Sequence, residues 1–136
     1  MKKLFPAIAI VSIMIAGFTA CTPSVPVDEE QLIGRWQNET NTQEYWVYTT
    51  ETDETGDYQY GKTWDESEVE EDMIEYHGNG WFKWQVAGQE LTQMHLMDNG
   101  AAEIPKVYTI TLLNDNRLEY KDNFGKRFSF VKIAAQ

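Results

Sequence analysis

The sequence predicts an all-β domain, a single antiparallel meander that closes into a barrel of about eight strands. Short segments rich in aromatic and β-branched residues follow one another at near-regular spacing, and most end at turns that carry Gly, Asn or Asp. Several of them alternate apolar and polar residues, which indicates a sheet with one buried and one solvated face. A meander with local connections removes its two exposed edges by closing on itself.

The first predicted strand begins at Gly34-Arg35-Trp36, and further strands follow along the rest of the chain. Ala87-Gly88-Gln89 is typical of a tight hairpin in which Gly88 adopts positive φ. Residues 65–71 read as a charged loop, and residues 72–77 as a strand with Ile74 and Tyr76 inward. The remaining predicted strands are 44–50, 57–63, 81–86, 90–97, 106–113, 117–121 and 127–133.

Alternation is clearest in the last three predicted strands, where Arg117, Glu119 and Lys121 fall on the polar face. The large apolar side chains between them share the opposite face, which we predict to be buried. The residues predicted to face the interior are Tyr108, Ile110, Leu112, Leu118, Tyr120, Phe128 and Phe130.

The N-terminus has the features of a secretory signal. Lys2 and Lys3 precede an uncharged stretch over residues 4–18, and Thr19-Ala20 places small residues before Cys21. The stretch is shorter than the roughly 20 apolar residues that span a bilayer as a helix. Residues 18–21 resemble the lipobox of bacterial lipoproteins, with Phe18 where that motif has an aliphatic residue. We expect cleavage before Cys21 and lipid attachment to its thiol; an uncleaved signal anchor is the alternative.

This organisation divides the chain into a signal peptide (1–20), a lipidated cysteine with a flexible tether (21–30) and a β-barrel domain (31–136). Pro23 and Pro26 disfavour helix and strand in the tether. Cys21 is the only cysteine, so the chain forms no intrachain disulfide. Thr22 stands where an inner-membrane retention signal often places Asp. By resemblance to Gram-negative sorting rules, this favours the outer membrane.

The charge of the chain argues against one class of partner. Its formal net charge is −11, and it falls to −13 if Lys2 and Lys3 leave with the signal peptide, since 9 basic and 22 acidic residues remain. Such a chain repels phosphate backbones, and no basic stripe is present, so we expect no nucleic-acid binding.

The start of the predicted barrel resembles a known family. Gly34-Arg35-Trp36 resembles the G-x-W signature that opens the first strand of lipocalins and related calycins. The segment 108–120 looks like small lipocalin-like domains of bacterial lipoproteins, and the similarity spans most of 31–136. The resemblance implies that Trp36 plugs the closed end of the barrel. It also implies a late arginine across the Trp36 ring, for which Arg127 is the candidate and Arg117 the rival.

Aromatic residues suggest a candidate pocket, because the chain carries 5 Trp, 7 Tyr and 6 Phe spread over several predicted strands. Around a barrel mouth such rings would bind a small hydrophobic or sugar-like ligand. The alternative is that they fill the interior, since eight-stranded barrels are just wide enough to be packed by side chains. The candidate pocket residues are Trp46, Tyr48, Tyr60, Phe82, Trp84, Tyr108 and Tyr120.

A second hypothesis is an interaction module that offers an acidic, aromatic surface to an envelope protein or a glycan. Trp81 is assigned to it because it shares a strand face with polar Lys83 and Gln85. The predicted contacts are Asp53, Trp64, Asp65, Glu66 and Trp81.

Catalysis has the least support, because the sequence lacks a G-x-S-x-G elbow, an H-E-x-x-H motif and a free cysteine in the mature chain. We expect no catalytic residues, cofactor or metal site. His77 and His95 could meet across a sheet and bind a metal, but ordinary strand positions are the better interpretation. The acidic runs 53–57 and 65–72 lack calcium-loop spacing, and a carboxylate pair of glycosidase type stays open.

Overall fold

A computed structural model of the protein describes residues 27–134. The predicted signal peptide, Cys21 and the tether as far as residue 26 lie outside the described residues, as do residues 135 and 136. Among the described residues, no helix combines the length and the apolar character needed to cross a bilayer.

The predicted barrel is confirmed. Eight antiparallel strands follow one another as a meander, and β1 pairs with β8 to close it, with Trp36 opposite Lys132. Gly88 has a φ of 65° in the β4–β5 hairpin, as predicted. Every strand is therefore paired on both sides. The strands are β1 (Gly34–Asn38), β2 (Glu44–Thr52), β3 (Gln59–Asp65), β4 (Trp81–Ala87), β5 (Glu90–His95), β6 (Lys106–Leu113), β7 (Arg117–Lys121) and β8 (Arg127–Ile133).

The two ends of the barrel differ. The connections β1–β2, β3–β4, β5–β6 and β7–β8 lie at one end, here called the loop end. The other, here called the helix end, is covered by α1 (Glu29–Leu32), which comes immediately before β1. Because the eight strands and this covering helix all lie within residues 27–134, the barrel is complete without the first 26 residues.

The last residues assigned to the tether take part in the covering of the helix end. Asp28 caps α1, with Oδ1 accepting a hydrogen bond from the Glu30 N–H at 3.0 Å. The Val27 N–H donates to the Gly88 carbonyl at 3.0 Å, and Leu32 is fully buried in the core. Residues 27–30 therefore belong structurally to the barrel, because the cap and the apolar contacts of Val27 and Leu32 hold them there.

The predicted strand over residues 72–77 is wrong. Glu71–Met73 forms a single 3₁₀ turn, and the β3–β4 loop (66–80) folds over the outer wall of the barrel. Ile74 packs against an outer cluster, but Tyr76 is 67% exposed. The 3₁₀ turn and the left-handed conformation of His77, with a φ of 58°, are incompatible with an extended segment over 72–77.

The predicted inward position of Leu112 is also wrong. A register shift between Ile110 and Leu112 inserts an extra residue in β6 relative to β7, so that Leu113 pairs with Leu118 and packs against the core. A bulge of this kind reverses the side-chain alternation beyond it. The other residues predicted to face inward, Tyr108, Ile110, Leu118, Tyr120, Phe128 and Phe130, belong to the core or pack against it.

Trp36 lies at the helix end, and the cation over its ring is Lys132. The indole N–H donates to the Leu32 carbonyl at 2.9 Å, and the Lys132 Nζ lies 5.1 Å from the ring centroid. An ideal Cβ on Gly34 would lie 2.7 Å from the Lys132 Cε, so glycine leaves the space that this lysine occupies. The structure thus corrects the expectation for Arg127, which is exposed at the start of β8. The rival Arg117 pairs instead with Glu39 and Glu119.

We expect Lys132→Ala to lower the free energy of unfolding by about 1–2 kcal/mol, because it removes a cation–π contact and a hydrogen bond to the Gln31 carbonyl. Arg127→Ala should change it by less than about 0.5 kcal/mol, because Arg127 is exposed at the start of β8. Urea denaturation of both variants measures the difference. Equal effects of the two substitutions would show that Lys132 does not stabilise the helix end.

Candidate functional site

The interior of the barrel is filled by its own side chains. Tyr48, Phe82, Trp84 and Tyr120 are each at most 2% exposed and belong to one continuous core cluster. The Tyr48 ring meets those of Phe82 and Trp84 edge-on, with centroids 5.3 Å apart in both pairs. These four predicted pocket residues therefore pack against one another and form the core.

Gly61 shows how little free space the interior contains next to Phe82. An ideal Cβ at this position would lie 2.5 Å from the Phe82 Cζ and 2.6 Å from the Val47 carbonyl oxygen. Both distances are shorter than a real van der Waals contact, so even one methyl group would displace its neighbours. Glycine is therefore required at this position on the inner face of β3, because the Phe82 ring occupies the space that a side chain would take.

A few polar groups lie within this interior: the Gln93 amide and the hydroxyls of Tyr48 and Tyr120. The Gln93 Nε2 donates to the Tyr48 hydroxyl at 2.9 Å, while the buried Gln93 Oε1 has no partner among the described residues. Burial raises the pKa of Tyr48, and it raises that of Tyr120 well above the usual range. Both phenols are therefore neutral at physiological pH, and they act as hydrogen-bonding groups of the core.

Trp46 and Tyr108 are partly exposed, at the edge of the filled interior. The Trp46 indole N–H donates to the Glu44 Oε2 at 2.6 Å, and the Tyr108 ring lies 4.8 Å from that of Tyr120. Burial, and secondarily the charge of Asp122, raises the pKa of Tyr108. Of the predicted pocket residues inside the barrel, these two are the ones a ligand can reach.

Tyr60, by contrast, lies outside the barrel. Strand alternation turns its neighbour Gly61 inward, so that Tyr60 faces the outer wall and joins a cluster with Trp81 and Leu96. The expectation that Tyr60 lines the interior is thus corrected.

Trp64 and Trp81, which we expected to be exposed contacts, are 5% and 8% exposed. The Trp64 ring is stacked on Tyr45 at 5.5 Å, and the Arg35 guanidinium lies 5.3 Å from its centroid. The β3–β4 loop covers Trp81. Neither tryptophan is an exposed contact, because side chains from neighbouring elements cover most of both rings.

Two contacts hold the β3–β4 loop against the wall. The first is Glu71, which pairs with Arg35 at 3.1 Å and Lys62 at 2.8 Å. Burial alone would raise the pKa of Glu71, but the hydrogen bonds and charges of Lys62 and Arg35 outweigh it and lower that pKa.

The second contact is an aromatic stack around His77. Its ring lies 3.8 Å from that of Tyr60 and 3.7 Å from that of Tyr76. The His77 Nε2 is 3.0 Å from the Glu51 carboxylate, to which the Tyr76 hydroxyl also donates. The loop is thus fixed at two places about six residues apart in sequence, Glu71 and His77.

Asp53 is buried and already satisfied. Its Oδ1 accepts hydrogen bonds from the Thr55 N–H, the Thr55 hydroxyl and the Gly56 N–H, and its Oδ2 pairs with Lys83 at 3.1 Å. The hydrogen bond from Thr55 lowers the pKa of Asp53 to about 2. Burial opposes this shift, and Lys83 adds to it. This carboxylate therefore stabilises its own turn and is not free for a partner or a cation.

A cavity of about 900 Å³, here called the rim cleft, opens at the loop end between the β3–β4 loop and the β5–β6 segment. Trp64, Ile74 and Leu96 contribute apolar surface to it, while His95 and Lys106 line it from β5 and β6. Its acidic lining residues are Asp65, Glu68, Glu75, Asp98 and Glu103. Asp65, a predicted contact, thus does line a cavity, and Glu66 is exposed beside it.

His95 lies where the filled interior meets the rim cleft. Its ring centroid is 5.7 Å from that of Trp46 and 5.6 Å from that of Phe82. Burial and the nearby Lys106 lower the pKa of His95, so its imidazole is neutral at physiological pH. His77 lies on the outer wall, so the two histidines do not meet. Within residues 27–134, no group of three or more His, Cys, Asp or Glu side chains is arranged to hold a metal ion.

The rim cleft was not predicted from the sequence. Much of its wall comes from two loops, 66–80 and 96–105, and the position of the first depends on long-range contacts such as that of Glu71 with Arg35. The one local signal was the acidic run 65–72, which correctly indicated a charged loop in its first part but not its fold against the wall.

We expect Glu71→Gln to lower the free energy of unfolding at neutral pH by about 1 kcal/mol, because the Arg35 and Lys62 cations would then donate to a neutral amide in place of a carboxylate. The pKa of Glu71 is lowered by folding, so its contribution is present above the ordinary value of 4.5 and is lost as the pH falls through the folded value. Urea denaturation between pH 7 and pH 3 should show the two proteins converging in acid. Glu70→Gln, at the exposed neighbouring position, is the control and should match the wild type throughout.

Comparisons with known proteins return no relative: no family model, no curated protein and no solved structure matches the chain.

Proposed function

We propose that the protein is a lipid-anchored interaction module of the cell envelope, in which a side-chain-filled barrel acts as a rigid scaffold for binding at the loop end. The observation that carries this proposal is the packed interior. Its largest side chains, Trp36, Trp84, Tyr48 and Tyr120 among them, are less than about 2% exposed. A barrel filled in this way binds partners at its rim and on its surface, and we assign it no catalytic role.

Export and lipidation at Cys21 remain part of the proposal, supported by the charge and hydropathy pattern of residues 1–21. The geometry of the helix end fits them. Val27 is held at that end by the Gly88 carbonyl, and five residues, 22–26, lie between it and Cys21. The six Cα–Cα steps from Cys21 to Val27 reach at most about 20 Å, so a lipid on Cys21 would keep the helix end near the bilayer. The loop end would then face away from the membrane.

A relation to lipocalin-like lipoprotein domains is likewise a proposal. It is supported by the closed meander of eight strands and by the position of Trp36 in the first strand, buried beneath α1 at the helix end. Gly34, which precedes Trp36 by two residues, has a φ of 135° and leaves space for Lys132, which gives a physical reason for glycine in the motif.

Metabolic labelling with palmitate tests the anchor. We expect the full chain, expressed in a Gram-negative host, to incorporate labelled palmitate and to sediment with the outer membrane. Cys21→Ser should abolish the label and prevent cleavage, because the serine hydroxyl forms no thioether. An unlabelled wild-type chain, or label that persists in Cys21→Ser, would refute lipidation at this residue.

A second candidate function is binding of a small sugar-like or hydrophobic ligand at the mouth of the barrel. The partly exposed rings of Trp46 and Tyr108 favour it, as does the volume of the rim cleft, which falls in the range of about 300–1,000 Å³ typical of ligand sites. Native mass spectrometry of residues 22–136 would detect such a ligand as a reproducible additional mass. Loss of that mass in Trp46→Ala would place it at the mouth.

A further inference from the structure

The rim cleft combines apolar surface with acidic side chains. Trp64, Ile74 and Leu96 provide apolar surface, and Trp64 and Leu96 are almost fully buried beneath it. Five carboxylates surround this surface, against a single lysine, Lys106. A long basic side chain has the matching form, since its methylene groups pack on apolar surface while its charged head group remains among carboxylates.

Apolar side chains are also exposed at the loop end, on three different segments of the chain. Met73 lines the cleft, Met97 and Ile104 flank its acidic residues in the β5–β6 connection, and Phe124 is in the β7–β8 turn. Their exposed fractions are 68%, 43%, 84% and 96%. Large apolar groups concentrated at one end of an otherwise acidic protein indicate an interaction surface.

From this arrangement we infer that the loop end binds a basic polypeptide segment that also carries apolar residues. A free polyamine would satisfy the carboxylates of the rim cleft but would leave Ile104 and Phe124 uncovered. The formal net charge of −13 that remains without residues 1–20, from 9 basic and 22 acidic residues, would steer a cationic partner towards the protein and repel acidic ones.

The inference deepens the proposed function, because it names the partner of the loop end. The orientation of that end depends on the lipid anchor, but the binding chemistry does not. The two therefore fail separately: palmitate labelling tests the anchor, and a binding experiment on residues 22–136, which contain the complete barrel, tests the partner.

Calorimetric titration with synthetic peptides tests the inference at physiological ionic strength. We expect a peptide of mixed Lys and Leu to bind, and peptides of Lys and Ser or of Glu and Leu to bind at least about tenfold more weakly. The triple variant Glu75→Gln/Asp98→Asn/Glu103→Gln should bind the Lys/Leu peptide with an affinity about tenfold lower or more. The double variant Ile104→Ser/Phe124→Ser should lower this affinity by a similar factor.

The matched control changes three exposed acidic residues at the helix end, Glu54→Gln, Asp57→Asn and Asp115→Asn, and so alters the net charge equally. It should leave the affinity within about twofold of the wild type. If the control triple variant lowered the affinity equally, net charge alone would explain the effect, and the inference would be overturned. Absence of binding would overturn it too, as would spermine that binds as tightly as the Lys/Leu peptide and displaces it.

Discussion

Trp36→Ala is expected to lower the free energy of unfolding by about 3–5 kcal/mol, the largest effect of any single substitution considered for this barrel. Trp36 is fully buried, and its removal would open a cavity beneath α1. It would also leave the Leu32 carbonyl without its donor and Lys132 without the ring it covers. Urea denaturation monitored by far-UV circular dichroism measures the loss.

Trp36→Phe separates the contributions. Phenylalanine keeps an aromatic ring under Lys132 but cannot donate to the Leu32 carbonyl, so we expect a loss of about 1–2 kcal/mol. If Trp36→Ala were as mild as Trp36→Phe, the helix end would not depend on this plug, and the structural role of the G-x-W segment would be refuted.

Asp53→Ala is expected to cost about 3 kcal/mol, the second largest effect. The substitution removes the acceptor of three hydrogen bonds in the β2–β3 turn and leaves Lys83, with a side chain only 17% exposed, without its counterion. Asp57→Ala, in the same turn but exposed, is the matched control and should change stability by less than about 0.5 kcal/mol.

The pH dependence of Asp53→Asn isolates the charge, because asparagine keeps an acceptor oxygen for Thr55 and Gly56. Folding lowers the pKa of Asp53 from 3.8 to about 2, so its ionic contribution is complete above 3.8 and is lost as the pH falls through about 2. The stability difference between wild type and Asp53→Asn should therefore be constant from pH 7 to pH 5 and shrink in acid. A difference that persists unchanged at pH 2 would show that the carboxylate charge is not its source.

The strands could be predicted from the sequence to within a few residues because their signal is local. Alternating aromatic and β-branched residues define β2 and β8, and the turn residue Gly88 marks the β4–β5 hairpin. The segment 72–77 was wrongly predicted as a strand because its composition permits one. The ion pairs of Glu71 that hold this loop against the barrel come from Arg35 and Lys62, on distant strands. A bulge such as that before Leu112 also cannot be recognised from the alternation of apolar and polar residues in the sequence.

The candidate site was harder to predict, for a physical reason. Alternation tells which aromatic residues share a face, but only packing decides whether that face leaves room for a ligand. Tyr48, Phe82 and Trp84 share the inner face and fill it. Gly61 takes the inner position because a larger residue there would collide with Phe82. Its neighbour Tyr60 therefore faces the outer wall. Likewise Lys132, paired with Trp36 across β1 and β8, provides the cation that the resemblance assigned to Arg127.

The rim cleft likewise depends on tertiary packing that the local sequence does not show. Its apolar surface includes Trp64 and Leu96. The predicted strand 57–63 stops one residue before Trp64, which lies in β3, and the predicted strand 90–97 includes Leu96, which follows the last residue of β5. The cavity exists only because the β3–β4 loop is held against the wall by Glu71 and His77. Since these contacts join residues far apart in the chain, no local pattern contains them.

The central claim, that the barrel interior has no space for a ligand, is tested most directly by methyl NMR of residues 22–136 under xenon pressure. Xenon enters empty apolar cavities of about 150 Å³, and the buried methyl groups of Leu91, Ile110 and Leu118 report on the interior. We predict that these methyl shifts do not change with xenon in the wild type and change saturably in Phe130→Ala, which creates a cavity. Saturable shifts of the same methyl groups in the wild type would contradict the claim and restore the interior as a ligand site.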